Sequence, residues 1–69
     1  MEERIEYLES RIPEEDRNTL EKKHSKNFSK YARYMGNGVY KWKGMYSTDT
    51  RELFLLGILK SEGIEFKEE

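Results

Sequence analysis

At 69 residues, with 39 % charged and 35 % hydrophobic residues and a formal net charge of −1, the chain has room for one small domain. It contains no run near the about 18 apolar residues that a membrane span needs, and its polar start, Met1-Glu2-Glu3-Arg4, predicts no signal peptide. Zero cysteines exclude a disulfide scaffold, a thiolate zinc site and a Cys nucleophile, and the expected setting is cytoplasmic.

Residues 1–12 read as an acidic helix. From residue 2, Ile5, Leu8 and Ile12 recur at helical spacing, Met1 extends the stripe, and Glu2, Glu6 and Glu9 form a separate acidic stripe. Pro13 either opens the next helix at its first turn or forces a break at Ile12. Glu14, Glu15 and Asp16 suit the positive end of a helix, while Asn18 with Glu21 fits a capping box, so two starts are open.

Residues 13–35 are predicted to form a long basic amphipathic helix. Leu20, His24, Phe28, Tyr31 and Met35 supply its apolar face. Lys22, Lys26, Lys30 and Arg33 each follow a member of that set by two residues, about 200° around the helix, so the basic stripe lies nearly opposite the packed face. Gly36-Asn37-Gly38 then stops the helix. Asn37-Gly38 also suits a hairpin turn, but the residues before it have helical periodicity.

Residues 39–46 read as a strand or a hairpin. Tyr40, Trp42 and Tyr46 share one parity in a single strand, and Gly44 marks a bulge or a tight turn. Residues 49–62 read as a buried apolar helix, opened by the capping box of Asp49 and Glu52 and stopped by Gly63. Ile64 and Phe66 alternate with Glu65 and Lys67, predicting a short strand over residues 64–67 that pairs with residues 39–45, and residues 68–69 fray. The expected fold class is α+β, in the order helix-helix-strand(or hairpin)-helix-strand. Three helices pack with a small two- or three-stranded sheet in one domain, residues 1–69.

The core is thin. Leu, Ile, Val and Phe number 14, near the roughly 20 % below which disorder becomes plausible, although a near-zero net charge and nine aromatics argue for folding. A chain this short buries only about 60 % of its unfolded surface, so a partner or a second copy is an expected source of further burial.

Net charge conceals a pattern. Residues 1–21 carry −5, residues 22–48 carry +7 with no acid, and residues 49–69 carry −3. Six of the nine aromatics lie in the basic segment. Cations that displace counterions, interleaved with aromatics that stack on bases, predict a nucleic-acid-binding protein, DNA or RNA. Lys22, Lys26, Lys30, Arg33, Lys41 and Lys43 would contact phosphate, and Tyr34, Tyr40 and Trp42 would stack. The competing expectation is that the acidic first helix neutralises the stripe and that the aromatics are core.

A different class of function rests on the block 53–59. Exposed on one side, it would make a protein-binding adaptor or inhibitor, or a dimer seam, through Leu53, Phe54, Leu56 and Gly57. The alternative is a central core helix. His24, the only histidine, lies on an apolar face with no nucleophile in view, and Asp49 and Glu52 are explained by capping. The chain is therefore expected to be a non-enzymatic regulatory protein with no catalytic residues, metal or cofactor.

Overall fold

The computed structural model describes residues 2–67. Met1 and residues 68–69, where a stripe extension and fraying are expected, lie outside the described residues. The order is α1 (Glu2–Ser10), α2 (Glu14–Tyr31), β1 (Arg33–Gly36), β2 (Val39–Trp42), β3 (Met45–Ser47) and α3 (Thr50–Glu62). The strands form one antiparallel sheet in the order β1-β2-β3. The fold is thus α+β, three helices with a three-stranded sheet.

The helix α1 ends at Ser10, before the expected residue 12; Leu8 on the helix and Ile12 in the turn after it are both buried. Of the two starts open to α2, Pro13 is used: the Asp16 amide donates to the Pro13 carbonyl at 2.9 Å, and Glu14, Glu15 and Asp16 occupy the first turn. No side chain caps that end, so the three carboxylates facing the helix dipole are its main local support.

The helix α2 stops at Tyr31, not at Met35 as its periodicity predicts. Ala32 is extended (φ −65°, ψ 141°), and residues 33–36 pair with β2. Asn37 (φ 55°) and Gly38 (φ 78°) are both left-handed, the backbone of a two-residue hairpin turn whose twist matches its flanking strands. Pairing also sets Tyr34 against Tyr40, ring centroids 5.0 Å apart, and the Tyr34 hydroxyl accepts from the Gly38 amide at 2.9 Å. Tyr31 and Met35 are exposed, so the packed face of α2 is limited to Leu20, His24 and Phe28. Residues 39–46 form the hairpin alternative, since Lys43 (φ 52°) and Gly44 (φ 78°) make a second turn of the same kind.

The helix α3 is the centre of the molecule. The Asp49 carboxylate accepts from the amides of Arg51 at 2.8 Å and Glu52 at 3.2 Å. Gly63 closes the helix in the left-handed region, and the Ile64 amide donates to Leu59 O. On α3, Leu53, Leu55, Ile58 and Leu59 are fully buried, because α1, α2 and the sheet all pack on it. At one end of the core Phe28, Trp42 and Phe54 form an aromatic cluster, with Phe28 and Trp42 edge-to-face at 4.9 Å.

Residues 64–67 do not form the expected strand. They run extended beside α1: the Lys67 amide donates to the Tyr7 hydroxyl at 2.8 Å, Arg11 Nε to Glu65 O at 2.9 Å, and Arg4 to Lys67 O. Ile64 and Phe66 turn onto the core, as their alternation predicts, but side chains of α1 satisfy this backbone in place of a neighbouring strand.

Two ion-paired clusters tie the helices. Arg51 of α3 binds Glu21 of α2 in bidentate fashion (2.9 and 3.0 Å) and Glu9 of α1 (2.8 Å). Glu62 of α3 accepts from His24 Nε2 and Lys23 Nζ, both at 2.9 Å. The hydrogen bond from Arg51 holds the Glu21 carboxyl below its ordinary value of 4.5, and those from His24 and then Lys23 do the same for Glu62. A carboxyl with a depressed folded-state pKa stabilises above its unfolded pKa and loses that contribution as pH falls through the folded value. The urea midpoint is therefore expected to hold steady from neutrality to about pH 5 and to fall as the pH drops below the ordinary carboxyl range, about 4.5. A midpoint that does not fall on acidification below that range would show that these pairs contribute nothing.

Candidate nucleic-acid interface

The outer face of α2 is polar because the opposite face is occupied by Leu20, His24 and Phe28. Lys22, Lys26 and Lys30 are exposed along it, spanning about 12 Å at 1.5 Å per residue. Lys23, Lys26, Asn27, Lys30 and Tyr31 line a shallow groove on one flank. Arg33 has left the helix for β1, yet its Nη1 donates to Lys30 O at 2.8 Å and to Ala32 O at 3.3 Å. A cation there complements the negative end of α2.

From Arg33 the charge continues across the sheet. Arg33 lies directly opposite Lys41, and Lys41 directly opposite Tyr46. Residues paired across strands share a face, so these three form one row on the side of the sheet away from α3. Lys41 Nζ is 5.4 Å from the centre of the Tyr46 ring. Lys43 is exposed in the second turn, its ammonium 5.1 Å from the Trp42 ring.

The aromatic assignments change. Trp42 is only 2 % exposed and has no free face for a base. Phe28 and Phe54 pack on it, its indole N–H donates to Asn27 Oδ1 at 3.1 Å, and Gly57 lies against its ring. Tyr40 is half-buried against Tyr34. The aromatics that reach solvent are Tyr31, Tyr34 and Tyr46. A single strand over residues 39–46 gives Tyr46 the parity of Tyr40 and Trp42. The two-residue turn at Lys43-Gly44 instead pairs Trp42 with Met45 and leaves Tyr46 on the other face.

The sequence-predicted protein-docking surface is partly inside the fold. Leu53 and Gly57 are buried, Phe54 and Leu56 are half-buried, and elements of the same chain cover α3.

Electrostatics separates the two acidic ends from the basic middle. Among the described residues, Lys23 is the one lysine or arginine of residues 22–48 in an ion pair, with Glu62, which also accepts from His24. Lys22, Lys26, Lys30, Arg33, Lys41 and Lys43 have no carboxylate within bonding distance, and Glu9 of the acidic helix is directed to Arg51. Within the described residues the acidic helix therefore does not neutralise the stripe. The same residues contain no group of three His, Cys, Asp or Glu placed to hold a metal, and no helix long and apolar enough to cross a membrane. Comparison with protein-family models, curated proteins and solved structures finds no match to this chain.

Proposed function

We propose that this chain is a small non-enzymatic regulatory protein of the cytoplasm that binds nucleic acid along the track from Lys22 through Lys26, Lys30, Arg33 and Lys41, with Lys43 beside it. One observation supports the reading: these six cations have no carboxylate partner among the described residues, whereas Arg51, Lys23 and His24 are paired. Unpaired cations in a row are the arrangement that exchanges condensed counterions for protein contacts. The acidic ends, directed elsewhere, keep the net charge near zero and limit indiscriminate adhesion.

The test is a salt titration of binding to a labelled oligonucleotide. With about five phosphate contacts, affinity should fall roughly a hundredfold between about 50 and 200 mM salt, linearly in log–log form. A flat response would overturn the reading. A protein partner is the second reading, now supported by the exposed Tyr31, Tyr34 and Met35 and no longer by α3. It predicts tight binding to a polypeptide with weak salt dependence.

A further inference from the structure

We infer that the nucleic acid is single-stranded, and that Tyr46 at the edge of the open sheet face stacks on one of its bases. The inference rests on the nucleic-acid reading above and adds the class of ligand and the residue that selects it.

Three observations support it. The Tyr46 side of the sheet is turned away from α3, and the tyrosine is 57 % exposed, so a large ring stands in water where burial would stabilise it. Bases within a duplex have both flat faces covered by their neighbours, whereas a single strand offers them to an aromatic side chain. Tyr46 is also one of the residues lining a shallow concavity at the free edge of β3, with Met45, Leu56, Phe66, Arg4 and Glu52. A base turned out of a single strand can enter such a recess.

The third observation is the row itself. Arg33 and Lys41 are direct cross-strand neighbours, and among the described residues neither is in an ion pair with a carboxylate. Like charges in that register destabilise a sheet. An anion placed between them removes the penalty, and a phosphate there is one strand position from the Tyr46 ring. Phosphate and base sites thus lie side by side, as they do in a nucleotide. The chain of contacts Lys30 O to Arg33, Arg33 opposite Lys41, and Lys41 over Tyr46 makes the row continuous with the α2 stripe.

The experiment compares a labelled oligothymidylate, an oligouridylate and a DNA duplex of matched length on the full chain, with Tyr46→Ala, Tyr46→Phe and Lys41→Glu. The single strands should bind more tightly than the duplex at equal salt. Tyr46→Ala should lose about tenfold or more without changing the salt slope, because no phosphate contact is removed. Tyr46→Phe keeps the ring and should bind as the parent does. Lys41→Glu should lose affinity and flatten the slope, while its new carboxylate faces Arg33 and keeps the sheet folded, as circular dichroism would show. Duplex binding as tight as single-strand binding, with Tyr46→Ala unchanged, would overturn this inference and leave the nucleic-acid reading standing. Salt-insensitive or absent binding to all three polymers would overturn both.

Discussion

Gly57→Ala is expected to destabilise the domain by about 2 kcal/mol or more, a large share of the roughly 3–5 kcal/mol that one core of this size supplies. The sign is the informative part. In an ordinary helix interior this substitution stabilises by about 0.5–1 kcal/mol, because glycine loses more backbone freedom on folding. At position 57 the added methyl would coincide with the six-membered ring of Trp42. That ring has nowhere to go. Phe28 meets it edge-on, Phe54 stacks on it, and Asn27 holds the indole N–H. The methyl therefore pushes α3 off the sheet or drives Trp42 out of its aromatic cluster. Trp42 is the only tryptophan, so urea unfolding followed by its fluorescence measures the loss directly. A Gly57→Ala variant as stable as the parent would show that the contact relaxes without cost. Combining it with Trp42→Leu, followed by circular dichroism, should give less than the sum of the two losses, because the smaller side chain vacates the space the methyl needs.

The same Gly57–Trp42 contact shows what could and could not be read from the chain. The capping box at Asp49, the stop at Gly63 and the apolar run between them are local signals, and α3 has the expected bounds within a residue. That Gly57 is small to admit a ring from β2 is a non-local fact. The 53–59 block alone is equally compatible with an outward-facing seam. The end of α2 failed for a related reason. Helical spacing persists through Tyr31 and Met35, yet strand pairing across the Asn37-Gly38 turn outcompetes the last helical turn. The hairpin signal and the helical signal overlapped, and only pairing partners three to eight residues downstream decide between them. Arg33 lies in β1 as a consequence, and the second turn, at Lys43-Gly44, moves Tyr46 to the face of Lys41. The Arg51 clasp and the Glu62 pairs join residues about 30 or more apart in sequence. Nothing in charge spacing along one helix points to them, since each draws on side chains from different helices.

The largest effect on function is expected from Lys26→Glu combined with Lys30→Glu, which should weaken nucleic-acid binding on the order of a hundredfold at low salt. Each reversal removes a cation from the track and places a carboxylate opposite phosphate. Loss of two contacts should also make the log–log salt slope shallower by about 1.4 for a single strand. The fold should survive. Both side chains are exposed and have no carboxylate partner among the described residues. A carboxylate at position 26 gains Lys22 as a neighbour one turn away, worth about 0.2–0.5 kcal/mol. At position 30, in the last turn of α2, it opposes the helix dipole and costs about 0.3–1 kcal/mol. The necessary control changes the same net charge elsewhere. Lys60→Glu with Lys67→Glu alters two exposed lysines outside the track, and each reversal subtracts two charges, so either pair takes the chain from −1 to −5. If the control pair weakens binding as much as the α2 pair does, long-range charge alone governs association and the track has no special part. A loss confined to the α2 pair locates the polyanion on α2, because at about 0.15 M salt screening over roughly 8 Å separates a contact from a distant field.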